Sequence, residues 1–107
     1  MHSLKLAADA SGKIAIGMVA TDHIDNIVLA AGVAKTYTIP TGAAYLLMSG
    51  TALFFARFGG AASIPIADVT DGTGACVAPE FREVPDDITT VSFISSVNCI
   101  VAIEVFA

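Results

Sequence analysis

The sequence predicts a small all-β protein, and three observations support this prediction. Its 107 residues suit one domain with a single core. Beyond residue 33, short apolar segments alternate with turn residues, and no internal repeat or heptad is visible. Hydrophobic residues make up 55% of the chain and charged residues only 14%, so a monomer has few charges to cover its surface. We therefore expect other protein copies to cover part of it.

The first predicted strand of the regular part is "KTYTIP", which alternates from Lys35 to Ile39 and stops at Pro40-Thr41-Gly42, a turn sequence. The segments "AYLLM" and "TALFFARF" then flank Ser49-Gly50, a spacing that predicts a two-residue hairpin. In that register Tyr45 faces Phe54.

Both faces of this predicted hairpin are largely apolar. One face carries Tyr45, Leu47, Phe54 and Phe58, and the other carries Leu46, Met48, Leu53, Phe55 and Arg57. A half-exposed antiparallel strand alternates apolar with polar residues, so this hairpin needs cover on both sides. A second sheet can cover one side, and the N-terminal segment or a neighbouring subunit must cover the other.

The C-terminal part repeats the pattern. In "TTVSFIS", Val91 and Phe93 share one side, and "NCIVAIEVF" alternates from Cys99 onwards. The two segments predict adjacent antiparallel strands joined near residues 95–98. With a short strand at "FREV", about six strands follow residue 33, a number that suits a small sandwich or barrel. Of the two, we expect a small antiparallel β-sandwich of jelly-roll-like type.

Residues 1–33 are less regular, and we interpret them as an N-terminal arm or outer layer attached to a β-sandwich domain over residues 34–107. The segment "KIAIGMVA" predicts a strand, "TDHIDN" has the N-cap residues of one helical turn, and "NIVLAAGVAK" predicts a strand followed by a turn at Gly32. Because the apolar residues of this arm have no obvious partner in the sandwich, removing residues 1–30 should leave a folded domain.

Composition and spacing argue against several classes of function. Turn residues interrupt the apolar runs before they reach the length of a membrane-spanning helix, and the first residues do not have the pattern of a signal peptide. The net charge is −5 and the five Lys and Arg residues are scattered, so nucleic acid is a poor partner. The sequence therefore predicts a protein made in a cytoplasm, with neither a membrane nor a nucleic acid as partner.

No catalytic or metal-binding pattern is evident, and we expect no enzyme activity, metal or cofactor. Cys76 and Cys99 have no CxxC spacing and are predicted to be free thiols. Asp68 and Asp71 are candidates for a calcium loop, but an Asp-Gly pair more often forms a turn. Arg57 is a candidate for ligand binding or for an ion pair across the sheet.

Four stretches carry a family resemblance: "YTIPTGAAYLLMSG", "FFARFGGAASIPIADVTDGTG", "PEFREV" and "TTVSFISSVNCIVAIEVFA". Together they resemble a group of small proteins encoded among the structural genes of tailed bacteriophages and prophages. Members share a strand ending in Pro-x-Gly-Ala, a strand with (Arg or Lys)-Phe-Gly-Gly, an Ala-Asp-Val-Thr-Asp-Gly-Thr loop and a closing β-hairpin. The resemblance covers about residues 35–107.

This resemblance implies a non-enzymatic structural component of a virion. A short, acidic, charge-poor β domain suits a capsid decoration or cement protein, whose partners are copies of itself and the major capsid protein. The alternatives are a tail, collar or fibre component, or a carbohydrate-binding adhesin-like module. The residues predicted to contact other chains are Ile14, Ile16, Met18, Tyr45, Leu46, Met48, Leu53, Phe55 and Arg57.

Overall fold

The described chain is all-β and contains two antiparallel four-stranded sheets. The computed structural model describes Met1, the strands over residues 6–8 and 14–18, and residues 21–107. The strands are β1 (Leu6–Ala8), β2 (Ile14–Met18), β3 (Ile24–Leu29), β4 (Lys35–Thr38), β5 (Tyr45–Gly50), β6 (Phe55–Phe58), β7 (Cys76–Val77), β8 (Phe81–Glu83), β9 (Thr90–Ile94) and β10 (Cys99–Phe106). This architecture confirms the predicted all-β fold.

The order of the strands is nested. The first sheet has the order β3-β10-β5-β8 and the second has β4-β9-β6-β7, while β1 and β2 form a two-stranded sheet of their own. Among the eight strands of the two sheets, the first in sequence pairs with the last, and so on inwards: β3 pairs with β10, β4 with β9, β5 with β8 and β6 with β7. The pairs alternate between the two sheets, so one long antiparallel ribbon is folded back on itself.

The core lies between the two sheets and is formed by one side of each central strand. In β10, the longest strand, alternate residues from Cys99 to Val105 are buried, and Leu46 and Met48 of β5 are fully enclosed beside them. From the second sheet, Val91 and Phe93 of β9 face them with no exposed surface. This period-two burial is expected where one side of a strand packs on a second sheet.

The predicted hairpin between β5 and β6 is wrong, because the two strands lie in different sheets. β5 pairs with β10 and β8, whereas β6 pairs with β9 and β7. β5 continues through Gly50, and residues 51–54 cross from one sheet to the other. A Cβ atom on Gly50 would lie 2.7 Å from Cδ1 of Phe54, so this glycine makes room for a core ring.

The predicted hairpin between β9 and β10 is wrong for a similar reason. β9 belongs to the second sheet and β10 to the first, and residues 95–98 connect the two layers. Both strands are strongly apolar, and each occupies an inner position of its own sheet, so their buried sides lie in the same core. The hydroxyl group of Ser95, which has no exposed surface, donates to the carbonyl oxygen of Leu53 at 2.7 Å and ties this crossing to the other one.

β3 belongs to the sandwich, although its residues were assigned to the N-terminal arm. It pairs with β10 along its whole length, from Leu29 opposite Cys99 to Ile24 opposite Glu104, and Leu29 is buried in the core. The predicted helical turn over residues 21–26 is wrong, since residues 24–26 are strand. The turn at Gly32 is confirmed, with a φ of 73°.

Gly59, within the Phe-Gly-Gly motif, combines a positive φ with a close side-chain contact. Its φ is +75°, and a Cβ atom there would lie 2.7 Å from Cδ1 of Ile88. We expect Gly59→Ala to lower the free energy of unfolding by about 1 to 3 kcal/mol. Gly72→Ala measures the cost of the positive φ alone, because the φ of Gly72 is +87° and the space around it is open. Urea unfolding in which Gly59→Ala costs no more than Gly72→Ala would contradict the steric part of this argument.

Candidate functional site

The structure separates the predicted contact residues into three groups. Leu46 and Met48 are buried in the core of the same chain. Tyr45, Leu53, Phe55 and Arg57 keep exposed or half-buried side chains, and Leu53 is 70% exposed. Ile14, Ile16 and Met18 lie on β2, and their side-chain contacts are outside the described part of the chain. The residues available for contact therefore lie on different sides of the sandwich.

An apolar surface covers the side of the first sheet that points away from the second sheet, and we call it the outer face. Its apolar members are Ile24, Val28, Tyr45, Leu47, Phe81, Ile100 and Ala102, and the polar residues Asn26, Ser49 and Glu104 lie among them. The strand register places these side chains in rows. One row runs from Ile24 through Glu104 and Leu47 to Phe81, and Val28 lies opposite Ile100 in another.

The aromatic part of the outer face is preorganised. The rings of Tyr45 and Phe81 stack with their centroids 5.6 Å apart and an interplanar angle of 16°. Both residues are half-buried, and Leu47 lies opposite Phe81 in the same pair of strands. Ile24 is 51% exposed and Val28 is 63% exposed on the edge strand β3. Exposed apolar side chains grouped on one face, with polar residues among them, are typical of an interaction site.

The corresponding side of the second sheet is covered by the chain itself. Ser92 and Ile94 point away from the core, in register with Arg57 and Phe55, yet Ser92 is only 2% exposed. The loop between β6 and β7, residues 59–75, folds back over them, and the backbone N–H of Ala62 donates to Oγ of Ser92 at 2.9 Å. Around β6 the second layer of cover is therefore this loop, which was not anticipated from the sequence: the predicted cover was the N-terminal segment or a neighbouring subunit.

Arg57 and Asp71 have local structural partners. A Cβ atom on Gly60 would lie 2.7 Å from Cζ of Arg57, so the guanidinium group rests directly on this glycine. Its Nη1 atom donates to the carbonyl oxygen of Ala61 at 3.5 Å. Both the backbone N–H and the hydroxyl group of Thr73 donate to Oδ1 of Asp71, at 3.1 and 2.6 Å, and these bonds lower the pKa of that carboxyl group.

The loop carrying Asp68 and Asp71 is therefore held as a turn, in line with the interpretation of Asp-Gly as a turn former. Within the described residues, no three His, Cys, Asp or Glu side chains are grouped as a metal site requires. Gly72, directly after Asp71, has a φ of 87°, which only glycine adopts readily. The (Arg)-Phe-Gly-Gly and Asp-Val-Thr-Asp-Gly-Thr motifs both shape this covering loop.

One polar cluster was not anticipated from the sequence. The hydroxyl group of Tyr37 on β4 donates to Oδ2 of Asp25 on β3 at 2.5 Å, and Nε2 of His23 lies 3.0 Å from the same oxygen. β3 and β4 are edge strands of different sheets, so the cluster joins the two layers along one side of the sandwich. Asp25 lies opposite Ile103 of the core, and this register turns its carboxylate toward the interior.

The cluster changes the pKa of two of its members. The hydrogen bond from Tyr37 lowers the pKa of Asp25 below its ordinary value of 3.8, and His23 adds to this effect. Burial, together with the neighbouring carboxylate, raises the pKa of Tyr37. Tyr37 is only 7% exposed, and its hydroxyl proton is already engaged. The arrangement is suited to joining two sheets rather than to transferring a proton to a substrate.

Tyr37→Phe should therefore lower stability in a pH-dependent way. A lowered Asp25 pKa stabilises the fold above pH 3.8, and this contribution is lost as the pH falls through the folded-state pKa. A raised Tyr37 pKa stabilises the fold below pH 10.0, and this contribution is lost at higher pH. In urea unfolding at pH 7, we expect Tyr37→Phe to lower the free energy of unfolding by about 1 kcal/mol. Below about pH 3, the free energies of unfolding of the variant and the wild type should differ by less.

Tyr45→Phe is the matched control, because Phe at position 45 retains the stacking contact with Phe81. If the free energies of unfolding of Tyr37→Phe and the wild type differ by the same amount from about pH 2 to pH 7, the loss of stability does not come from the bond to Asp25.

Cys76 and Cys99 are both free thiols, as the sequence predicted. Cys76 is exposed on β7, while Cys99 is buried at the start of β10, where its Sγ atom lies 3.5 Å from the carbonyl oxygen of Ala52. The described residues contain no long apolar helix of the kind that crosses a bilayer.

Comparisons with known proteins identify no relative. No protein-family model matches the chain, and searches of curated proteins and of solved structures gave no match. The resemblance to phage structural proteins therefore remains a prediction from the sequence motifs. The outer face is the most extensive candidate site that the described residues form.

Proposed function

We propose that this chain is a non-enzymatic structural component of a tailed-phage virion, and specifically a capsid decoration protein that stabilises the head. The apolar outer face of the first sheet is the observation that carries the proposal. A surface rich in half-exposed apolar side chains suits permanent contact with another protein, because its stability gain scales with the apolar area removed from water. The partner is a larger subunit of the particle, the major capsid protein.

The strand order supports the same proposal. In a jelly roll, eight strands pair first with eighth, second with seventh, third with sixth and fourth with fifth, in two sheets. The order β3-β10-β5-β8 and β4-β9-β6-β7 follows that scheme when β3 is counted as the first strand. Jelly rolls are frequent in viral capsid proteins and in lectins. The fold alone does not define function, so the proposal also depends on the outer face and on the sequence motifs.

The chemistry of the described residues favours a structural role. The His23, Asp25 and Tyr37 cluster uses its polar atoms to join the sheets. Asp71, whose pKa is also lowered, is held in a turn by its bonds to Thr73. A structural protein needs a stable fold and complementary surfaces, and both features are prominent in this chain.

The test is the composition of purified particles. Virions from a lysate of cells that carry this gene, banded by density and separated into heads and tails, are analysed by quantitative mass spectrometry. We expect many copies of the chain per particle, in the head fraction. A particle made without this gene should lose packaged DNA at a lower temperature. Recovery of the chain only in the soluble fraction would refute the virion role, and recovery with the tails would favour a tail, collar or fibre component.

The stacked Tyr45 and Phe81 rings favour one alternative, a carbohydrate-binding module, because aromatic faces pack on sugar rings. Binding of the purified chain to host-surface polysaccharide, removed by Phe81→Ala and retained in Ile66→Ala, would support that alternative. Ile66 is the matched position, since it is fully exposed on the covering loop.

A further inference from the structure

Four connections between the sheets lie at one end of the sandwich, and three of them take part in a second apolar surface. These three connections are residues 30–34, 51–54 and 95–98. We call this surface the loop end and define it by five side chains, Val28, Val33, Leu53, Val97 and Ile100. They are five of the nine large apolar side chains that are exposed among the described residues, with exposures from 46% to 70%. This concentration at one end is the first indication of a contact site.

Hydrogen bonds between the connections hold the loop end in one shape. The N–H of Gly32 donates to the carbonyl oxygen of Ser95 at 2.7 Å, and Oγ of Ser95 donates to the carbonyl oxygen of Leu53 at 2.7 Å. Thr51 and Ile100 exchange two bonds of 3.0 Å, one through the hydroxyl group of Thr51. A surface fixed in this way loses little conformational entropy when a partner binds.

Among the described residues, Lys35 and Glu80 carry charge on the two opposite edges of the loop end. Lys35 begins β4, the edge strand on one side, and its Nζ atom lies 3.4 Å from the carbonyl oxygen of Val28. Glu80 directly precedes β8, the edge strand on the other side. Asp86 and Asp87 lie in the connection from β8 to β9, at the far end of the sandwich. These two carboxylates are therefore remote from this surface.

We propose that two copies of this chain associate through the loop end about a two-fold axis. In such an interface each residue that contacts another is contacted by it in return. We place the two-fold axis in the plane of the interface, perpendicular to the line that joins Lys35 and Glu80. Rotation about this axis brings Lys35 of each copy next to Glu80 of the other. The opposite charges on the two edges become complementary, and the acidic far ends point away from each other.

The same rotation matches the shape of the two surfaces. Leu53, which is 70% exposed, lies on the side of β5 and β6. A depression of about 500 Å³ lies on the side of β3 and β10, between Ala30, Asn98 and Ile100. The rotation that exchanges the two edges therefore brings Leu53 of each copy to the depression of the other. Side chains that fill pockets near the centre of an interface contribute most of the affinity.

This inference deepens the proposed function. It rests on that function in one respect, because a decoration protein is expected to associate with copies of itself. The pair covers Val28 and Ile100, which belong to both surfaces, whereas the part of the outer face around Tyr45, Leu47 and Phe81 remains available to the capsid subunit. Paired copies would join two neighbouring contact points on a particle surface, which is what a decoration protein requires to stabilise a lattice.

Reciprocal charge reversal tests the proposal. The full chain, Lys35→Glu, Glu80→Lys and the double variant are compared by sedimentation equilibrium at about 5 to 500 µM, since a small interface gives micromolar affinity. We expect the wild type to form dimers. Each single reversal should weaken the dimer about tenfold, because it places like charges together twice, and the double variant should recover most of this loss. An equimolar mixture of the two single variants should form heterodimers in native mass spectrometry.

Leu53→Asp and Ile66→Asp provide the apolar test and its matched control. Leu53→Asp should weaken the dimer at least about 100-fold, whereas Ile66→Asp, at a fully exposed position of the covering loop, should not change it. Circular dichroism verifies that each variant is folded, and the charge reversals keep the proposal testable if Leu53→Asp does not fold. A wild-type monomer throughout the range, or a dimer that no reversal weakens, would overturn the proposal. Monomers that still enter particles would refute the pairing alone, whereas dimers absent from particles would refute the virion role alone.

Discussion

Removing residues 1–30 should abolish cooperative folding of this chain, whereas removing residues 1–20 should preserve it. The longer deletion eliminates β3, which pairs with β10 from Ile24 to Leu29. It therefore removes Leu29 from the core and Asp25 from its bond to Tyr37, and leaves β10 as an unprotected edge. Loss of a single buried leucine side chain costs about 2 to 5 kcal/mol, which is already a large part of the stability of a small domain.

The shorter deletion retains both four-stranded sheets. It removes the ion pair between the amino group of Met1 and Asp22, but the Asp22 side chain is 67% exposed, so this pair contributes little. Urea unfolding followed by circular dichroism distinguishes the two deletions. A cooperative transition in the longer deletion would contradict the assignment of β3 to the sandwich, and none in the shorter one would show that the sandwich depends on residues 1–20.

Phe93→Ala should lower the free energy of unfolding by about 3 to 5 kcal/mol, because Phe93 has no exposed surface and lies at the centre of the core. Its ring meets Phe54 edge-to-face, with centroids 5.9 Å apart and an interplanar angle of 63°. Phe54 lies in the crossing from β5 to β6, so this contact links the second sheet to the connection between the two layers.

A double-mutant cycle with Phe54→Ala measures this contact directly, and we expect a coupling of about 0.5 to 1.5 kcal/mol. Phe55→Ala is the control, since Phe55 is the neighbouring residue and its half-buried ring points away from the core. Equal losses of unfolding free energy in Phe93→Ala and Phe55→Ala would contradict the core described above. Additive effects of Phe93→Ala and Phe54→Ala would contradict the contact between the two rings.

Local pattern was sufficient to predict most strands. The alternation from Lys35 onwards marked β4, and Pro40-Thr41-Gly42 marked its end, where Gly42 has a φ of 87°. The short strand at Phe81–Glu83 and the strand at Ile14–Met18 were also predicted. These predictions succeeded because period-two burial and turn chemistry act over a few residues.

The pairing of strands was not predictable from the same signals. Ser49-Gly50 has the composition of a hairpin turn, but the glycine is required by the Phe54 ring, a contact that local reasoning does not reveal. In a nested order, neighbours in the chain alternate between sheets, so most partners are distant in sequence. The double-sided apolar character of the region was recognised correctly, although around β6 the cover is provided by residues 59–75.

The candidate surfaces depend on this long-range order. Tyr45 was predicted to make contacts, while Leu47 and Phe81 of the outer face were not, because their proximity follows from the β5–β8 pairing. The loop end combines side chains from three connections that are far apart in the sequence, and of these only Leu53 was singled out. The bond between Asp25 and Tyr37 likewise requires two edge strands of different sheets to be adjacent.

Competition for incorporation into particles tests the central claim most directly. Cells that produce the proposed particles express one isotope-labelled variant beside the wild type, and the ratio of the two is measured in purified heads and in the soluble fraction. Leu47→Glu and Ile24→Glu alter the outer face, and Ile66→Glu adds the same charge on the exposed covering loop. We expect both outer-face variants to be depleted from heads at least about tenfold, with Ile66→Glu incorporated like the wild type. Equal incorporation of all three variants, or absence of the wild type from heads, would contradict the claim that the outer face attaches this protein to a capsid.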